Sequence, residues 1–154
     1  WSVIDGSCED KDYACHLLKW CRIMCMLAIF ETEIDGVKYY FIDNEQYFNR
    51  DSVYGQSDDG ERFAFFSKAA LEILPHIEYK PDILNANDWH TALSIIYLDD
   101  LKSRGENFYS DIKSVISIHN IEFQGKFNPY DMGYLFGLDN KYFDALIYNG
   151  DLNL

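Results

Sequence analysis

The stretch PDILNANDWHTALSIIYL, residues 81–98, decides the fold that this sequence predicts. An apolar run leads into the polar segment 85–90, after which apolar residues recur at the spacing of a helix. This pattern predicts a short strand over PDILNAN and a helix that begins at Trp89. An acid, an indole and an imidazole, from Asp88, Trp89 and His90, therefore share the turn between the strand and the helix.

Strand-like and helix-like segments alternate on both sides of this stretch. VKYYFID (37–43) is rich in β-forming residues, ERFAFFSKAALEILPHI (61–77) carries apolar residues on one helical face, and DIKSVISIHN (111–120) is again β-rich. The order strand, helix, strand, helix, strand predicts βαβ units. We therefore expect an α/β fold, with a Rossmann-like parallel sheet and helices on both of its faces.

The remaining segments support weaker predictions. Within residues 1–33, the segment YACHLLKWCRIMCMLAIF (13–30) fits either a helix or a buried pair of strands, and the IDG at 34–36 predicts a turn. Residues 44–61 are expected to form a long polar loop, of a kind that often contacts a ligand. Residues 121–138 are expected to be a loop followed by a short helix, and residues 141–150 to be helical or turn-like.

Polar residues follow three of the predicted strands. They are NANDWH (85–90), HNIEFQG (119–125) and DNEQYFNRDSVYG (43–55). Because ligands of open parallel sheets bind outside the carboxyl ends of the strands, we expect these three clusters to form one cleft. A lining of Trp, Tyr, His, Asn and Asp suits a sugar, since aromatic faces cover C–H patches while carboxylates and amides bind hydroxyls.

Most of these residues also have an ordinary structural interpretation. Asp88 is well suited to cap the helix that starts after it. Trp89 on a first turn usually packs into the core, whereas His90 near the positive end of the helix dipole would stay neutral and able to form hydrogen bonds. His119 also fits a core histidine bonded to a backbone carbonyl, and Asn120 fits a residue that only holds a turn.

Composition excludes several classes of function. The 154 residues are 48% hydrophobic and 17% aromatic, which is enough to build a core. A formal net charge of -13 argues against nucleic acid and against an anionic membrane as partners, and favours a soluble cytoplasmic domain. The sequence lacks G-x-x-x-x-G-K, G-x-G-x-x-G and G-x-S-x-G motifs. We expect no cofactor and no targeting or transmembrane segment.

The cysteines favour free thiols over a metal site. Cys8, Cys15, Cys21 and Cys25 lie near the N-terminus without a C-x-x-C pair, so a zinc site that also used His16 is the weaker interpretation. Free cysteines often serve as small apolar side chains. We therefore expect no metal in this chain.

Several separate segments resemble the bacterial glycogen synthases and plant starch synthases. They are FIDNEQYFNRDSVYG, DDGERFAFFSKAALEIL, PDILNANDWHTAL and SVISIHNIEFQGKF, in the order and spacing of that family. The resemblance covers residues 34–154 and leaves residues 1–33 unassigned. It implies part of the N-terminal, acceptor-side domain of a two-domain GT-B glycosyltransferase of glycogen biosynthesis. Such enzymes transfer glucose from ADP-glucose to the non-reducing end of an α-1,4-glucan, with retention.

The resemblance also implies roles for individual residues. Catalytic roles fall to Asp88, in the active-site turn, and to His119, whose main-chain carbonyl would face the anomeric centre. The substrate-binding residues that it implies are Tyr54, Trp89, His90, Asn120 and Gln124. Gln124 is the weakest of these, because a Gln-Gly turn explains it as well.

Two family features are absent from the sequence. They are the N-terminal K-x-G-G-L loop and the whole nucleotide-binding C-terminal domain, which is the partner that this chain would need. Both ends look like cuts through a longer protein, and we expect the 154 residues alone to be inactive. Two alternatives stay open: a non-catalytic carbohydrate-binding α/β domain, and a related two-domain glycosyltransferase such as a sucrose-related enzyme.

Overall fold

The structure is a computed structural model that describes the backbone of residues 13–20 and 23–154, and the side chains from residue 27 onward. The chain divides into two compact units, Trp1–Val53 and Tyr54–Leu154. The predicted roles of the four cysteines and of His16 concern side chains outside the described residues.

The first unit contains a three-stranded antiparallel sheet in the order β1-β2-β3. The strands are β1 Tyr13–Trp20, β2 Ile23–Ile34 and β3 Val37–Asp43. The N-terminal segment was expected to be either a helix or a pair of strands, and β1 and β2 are such a pair. A short helix, α1 Glu45–Phe48, follows β3 inside the predicted loop, and its N-cap residue Asn44 accepts a hydrogen bond from the Tyr47 amide at 2.9 Å.

The turn at Asp35-Gly36 decides the pairing of β3. Both residues have positive φ, 51° and 78°, and Ile34 pairs with Val37 on either side of them. A two-residue loop of this kind joins antiparallel strands, because its twist matches theirs. The prediction that residues 37–43 belong to the parallel sheet is therefore wrong, and the polar segment 43–55 follows a strand of a different sheet.

The second unit contains the predicted βαβ segment and a small C-terminal sheet. Its helices are α2 Asp59–Glu72, α3 Trp89–Ser103, α4 Asp131–Tyr134 and α5 Phe143–Leu146, with 3-10 turns at Asn107–Tyr109 and Asn140–Tyr142. Its strands are β4 Ile83–Asn87, β5 Lys113–Ser117, β6 Lys126–Phe127, β7 Ile147–Tyr148 and β8 Asp151–Asn153.

The central βαβ prediction is confirmed. β4 and β5 pair in parallel, with Ala86 opposite Ile116, and α3 connects them. α3 ends before Gly105, whose φ of 80° suits a glycine beyond the end of a helix. α2 packs against α3, and the apolar faces of both helices are buried; Phe65 and Leu93 are among their fully enclosed side chains.

The C-terminal segment contains strands that the sequence pattern did not predict. β6, β8 and β7 form an antiparallel sheet in that order, and Asn149-Gly150 makes the hairpin turn with φ values of 53° and 90°. Residues 141–150, expected to be helical or turn-like, contain the end of a 3-10 turn, α5 and the hairpin turn, together with the strand β7 that was not predicted. The amide of Leu154 donates to the carbonyl of Gly125 at 3.1 Å, which joins this sheet to the loop after β5.

The fold class is α/β with a parallel strand pair and helices, as predicted. Within residues 13–20 and 23–154, no helix is long and apolar enough to cross a membrane.

Candidate active site

Asp88 occupies a rare backbone conformation at the junction of β4 and α3. Its φ and ψ are 54° and -178°, and its amide donates to the carbonyl of Ser117 at 2.9 Å. A non-glycine residue with positive φ is uncommon, and such residues cluster at functional sites. The contact between the two strands thus continues one residue beyond the end of β4, onto the last residue of β5, and the Asp88 side chain projects from that point.

The Asp88 carboxylate bonds to the next strand's exit loop. Its Oδ1 accepts from the amide of His119 at 2.7 Å, while the first turn of α3 has no side-chain cap from Asp88 among the described contacts. Asp88 therefore stands at the N-cap position of α3, as predicted, but the prediction that its carboxylate caps the helix is wrong. The His119 amide, and more weakly that of Asn120, lowers the pKa of Asp88 below its ordinary value, although partial burial opposes this shift. Asp88 is an ionised hydrogen-bond acceptor near neutral pH.

His119 is exposed, and its ring bonds to β4. Nε2 lies 2.9 Å from Oδ1 of Asn87, the last residue of that strand. The interpretation of His119 as a core histidine held by a backbone carbonyl is therefore wrong. A second link, from Oγ of Ser117 to Oδ1 of Asn85 at 3.0 Å, runs parallel to the first. These side-chain bonds tie the carboxyl ends of the two strands together.

The Thr91 hydroxyl binds the backbone of Asn87, the last residue of β4. The hydroxyl oxygen accepts from the amide of Asn87 at 2.6 Å and donates to the carbonyl of Asn87 at 2.8 Å. One hydroxyl therefore satisfies both backbone groups of the residue before Asp88. These two bonds fix the backbone immediately before Asp88 and so stabilise its positive φ.

An aromatic cluster, formed by Phe63, Trp89, His90 and Phe127, supports the turn. Trp89 stacks on His90 with ring centroids 4.1 Å apart and an interplanar angle of 30°. Phe63, from α2, meets both rings edge-on, at 5.1 Å from Trp89 and 4.8 Å from His90. Phe127 lies 5.8 Å from Trp89 on another side. The cluster holds both rings of the turn in defined orientations.

His90 is half-buried in this cluster, and burial lowers its pKa from the ordinary histidine value. The charges of Asp88 and Asp59 oppose that shift. The imidazole is therefore neutral at pH 7, able to donate at one nitrogen and accept at the other. The ring of Tyr54, whose side chain is largely exposed, lies 5.9 Å from the His90 ring at a tilt of 49°.

The loop after β5 is held by amide side chains. Oδ1 of Asn120 accepts from the amide of Glu122 at 3.0 Å, as the turn interpretation predicts. The Gln124 amide nitrogen donates to the carbonyl of Ile121 at 3.1 Å, and its oxygen accepts from Asn153 at 2.9 Å. Gln124 therefore bridges the loop and β8, so its side-chain groups already have partners within the protein.

The structure brings most of the sequence-predicted site residues together. Asp88 is hydrogen-bonded to His119, and the next two residues of the turn, Trp89 and His90, stack on each other. The Tyr54 ring lies beside that of His90. Asn120 and Gln124 lie in the adjoining loop. The sequence placed Asn87 in a polar segment but did not reveal the supporting contacts that Asn87, Thr91 and Phe63 make in this site. The one local signal was Thr91, a hydroxyl three residues after Asp88 in a first helical turn.

Chemically, this surface offers hydrogen-bond acceptors, a hydrogen-bond donor and flat aromatic faces. It combines one ionised carboxylate, a neutral imidazole and flat aromatic faces at the carboxyl end of a parallel strand pair. In the described part of the chain, no group of three His, Cys, Asp or Glu side chains could hold a metal ion.

Comparison with known proteins identifies the family. A family model described as the starch synthase catalytic domain matches residues 6–154, and the chain belongs to this family. This match begins upstream of residue 34, the residue at which the resemblance described in the sequence begins. The division of the chain at residues 33 and 34 stays a prediction.

Named relatives agree with this assignment. The chain is 46% identical over 138 residues to a glycogen synthase of Bacillus cereus (strain Q1), covering 88% of this chain and 28% of the relative. It is 49% identical over 127 residues to a glycogen synthase of Clostridium kluyveri, covering 82% of this chain and 26% of the relative. This chain therefore spans between a quarter and a third of the length of these curated relatives.

A solved structure resembles the fold over almost the whole chain. It is described as the catalytic domain of Starch Synthase IV from Arabidopsis thaliana bound to ADP and acarbose. The TM-score is 0.74 at 26% identity, over 97% of this chain and 33% of that one. The predicted class, an α/β part of a GT-B glycosyltransferase catalytic domain, is confirmed.

Proposed function

We propose that this chain is part of a glycogen or starch synthase, an enzyme that transfers glucose from ADP-glucose to the non-reducing end of an α-1,4-glucan with retention. The observation that supports it most is the bond between the Asp88 carboxylate and the His119 amide, in a chain that belongs to the starch synthase catalytic domain family. This bond sets the exit of β5 against the active-site turn at the end of β4.

In the proposed reaction, the bond between the anomeric carbon of glucose and the diphosphate oxygen breaks. A bond from that carbon to the acceptor hydroxyl forms on the same face, and the hydroxyl proton leaves with the diphosphate product. Positive charge develops at the anomeric carbon, so a carbonyl dipole aimed at it stabilises the transition state. The main-chain carbonyl of His119 has this role in the proposal, and the bond from its amide to Asp88 orients that peptide.

The other site residues bind the sugar in this proposal. The neutral His90 ring and the His119 side chain bond to hydroxyls, and Tyr54 and Trp89 cover C–H faces of the glucose or the glucan. Asn120 and Gln124 shape the loop against which the sugar rests. Asp88 acts as a fixed acceptor and not as a general base, because its lowered pKa makes it a weak base.

In this proposal, the negative charge of the diphosphate requires cationic groups from another part of the enzyme. The chain carries 13 Lys and Arg against 26 Asp and Glu. Of these basic residues only Arg50 falls in the polar segments 43–55, 85–90 and 119–125, and Lys126 directly follows the third segment. We propose that residues 34–154 are part of the acceptor-side domain, that a C-terminal nucleotide-binding domain supplies the cationic groups, and that the protein is cytoplasmic. The ADP named with the Arabidopsis relative supports an adenine nucleotide donor.

The experiment measures transfer of labelled glucose to glycogen by the full-length product of the gene. Wild type is compared with His119→Ala, and His76→Ala, at an exposed histidine in the turn after α2, serves as the matched control. We expect His119→Ala to lower kcat on the order of 10²-fold or more, with a smaller change in KM for ADP-glucose. A folded His119→Ala variant with near-normal kcat would contradict the proposed role of the His119 side chain.

Donor choice separates the alternatives. ADP-glucose, UDP-glucose and sucrose are offered in parallel to the same protein. Transfer to glycogen from ADP-glucose supports the proposal, whereas a preference for sucrose or a UDP-sugar favours the related two-domain enzyme. Glucan binding without any transfer would favour the non-catalytic module. We also expect the 154-residue chain on its own to give less than a tenth of the full-length activity, since half of the positioning groups would be missing.

A further inference from the structure

The first turn of α2 holds the loop that carries Tyr54. Oδ2 of Asp59 accepts from the amide of Gly55 at 2.6 Å, and Gly55 directly follows Tyr54. Gly55 has a φ of 93°, a conformation that side chains rarely adopt, so the chain bends sharply at the point where the carboxylate binds it. The position of the Tyr54 backbone therefore depends on Asp59.

Asp59 is itself held from the other side. Nη1 of Arg62 donates to its Oδ1 at 2.7 Å, and the side chains of Arg62 and Asp59 are only 4% and 13% exposed. The guanidinium also lies 5.4 Å from the ring of Phe63, the residue that packs edge-on against His90. One buried ion pair thus connects the loop that carries Tyr54 to Phe63, which packs against His90.

We propose that Asp59, held by Arg62, is a positioning residue that sets where the Tyr54 ring stands relative to His90, and so how the sugar is seated. This inference rests on the proposed function, since Tyr54 and His90 are its sugar-binding residues. Asp59 itself is not placed in contact with substrate.

The chemistry of the contact requires a carboxylate. Both oxygens of Asp59 accept hydrogen bonds at the same time, one from Gly55 and one from Arg62. An asparagine has one oxygen and one NH₂, so one of the two donors would face another donor. Asp59→Asn therefore breaks one of the two bonds while keeping the size of the side chain. The charge of Asp59 also favours the protonated form of His90, so its removal lowers the pKa of His90 further.

A stabilising role of Asp59 in the helix is the competing explanation. An acidic residue in a first turn stabilises a helix through the helix dipole, whatever loop it touches. The two explanations differ in one respect: a positioning residue acts through Tyr54, whereas a helix stabiliser acts whether or not Tyr54 is present. A double-mutant cycle separates them.

The test uses the full-length gene product as wild type, Asp59→Asn, Tyr54→Ala and the double variant. Glu72→Gln is the matched control, because it removes one negative charge and an ion pair with Lys68 from the same helix. We expect Asp59→Asn to lower kcat/KM about tenfold in the wild-type background and to have almost no further effect in the Tyr54→Ala background. Equal losses in both backgrounds would overturn the proposal.

Hydrogen exchange supplies a readout that does not depend on activity. In Asp59→Asn, amides of the 53–57 segment should exchange about tenfold faster, while peptides of α3 stay unchanged and so report a folded protein. Glu72→Gln should leave the segment as in wild type, and Arg62→Lys should raise its exchange by less than Asp59→Asn does. Unchanged exchange in Asp59→Asn would overturn the proposal even if activity fell.

The outcomes also separate this inference from the proposed function. If the wild-type protein transfers no glucose, the proposed function fails, and the role of Asp59 in seating the sugar fails with it. If the wild type is active and exchange at the loop rises, but the kinetic effects are additive, the proposed function stands and the positioning role of Asp59 is wrong.

Discussion

Replacing Gly125 with alanine tests how tightly the aromatic cluster is built. A Cβ on the buried Gly125 would lie 2.6 Å from Cε3 and 3.0 Å from Cδ2 of Trp89, and 3.3 Å from Cβ of Leu154. Ordinary contacts begin at 3.4 Å. The indole therefore has to retreat by about 0.8 Å, toward rings that already touch it in a close-packed interior.

The expected costs follow from that displacement. Overpacking of this kind destabilises a protein by about 1–3 kcal/mol. Because Trp89 stacks on His90 at 4.1 Å, the shift also moves the imidazole, and a misplacement on the order of 1 Å lowers activity by about 10²-fold. The sequence reveals none of this, since Gly125 reads there as one half of an ordinary Gln-Gly turn.

Gly133→Ala is the matched control for this variant. Gly133 lies in α4, and the nearest heavy atom to an added Cβ, among those of the described residues, is 4.0 Å away. Alanine also favours a helix over glycine by about 1 kcal/mol. Urea unfolding of the full-length protein, with hydrogen exchange of α3 peptides as the local probe, measures both variants. Equal stability of Gly125→Ala and Gly133→Ala, or normal transfer activity in Gly125→Ala, would refute the reasoning.

Further predictions concern the turn itself. Thr91→Val removes both bonds to the Asn87 backbone and should lower stability by about 1–2 kcal/mol in urea titrations, whereas Thr91→Ser should retain most of it. In an NMR pH series, the His90 ring should titrate below the ordinary histidine pKa. Because the pKa of His90 is lower in the folded than in the unfolded protein, the neutral ring contributes stability above about pH 6.5. This contribution is lost as the pH falls below that value. Asp88 contributes stability that is present above about pH 4 and is lost as the pH falls through its lowered pKa. Asp88→Asn should therefore reduce the loss of unfolding free energy below about pH 4. An unchanged loss would contradict the bond between Asp88 and His119.

The central fold was predictable because its signals are local. The switch from an apolar run to helical spacing at residues 81–98 places β4 and α3 within one or two residues of their observed bounds. The β-rich run after Gly105 likewise predicts β5. Side-chain periodicity is a property of neighbouring residues, so it can be read without knowing what packs on each face.

The partner of β3 was predicted wrongly although its signal was present. The sequence predicts a turn at Asp35-Gly36, and a two-residue turn between β-forming segments indicates a hairpin. Because the pattern of the preceding segment fits a helix as well as strands, the sequence did not identify β2 as the strand before that turn. β6, β7 and β8 were missed for a related reason, since strands of two or three residues are too short to show a period.

The candidate site was located by its residue types but not by its contacts. Asp88, Trp89, His90 and His119 stand out because they follow predicted strands. For an acid before a helix a local rule also favours a capping role, so the sequence offers capping by the Asp88 carboxylate beside the catalytic role that the resemblance implies. The observed partner of that carboxylate, the amide of His119, lies 31 residues away in the chain.

The sequence by itself determined the central elements of the second unit: a strand that ends in a polar turn, the helix after it, and a second strand with polar residues at its exit. Tertiary structure alone decided that the Asp88 carboxylate bonds to His119, that Gly125 leaves room for Trp89, and that Asp59 binds the Tyr54 loop. The physical reason is range. Periodicity and turn chemistry act over a few residues, whereas these contacts depend on the register of β4 against β5 and on how α2 packs on α3.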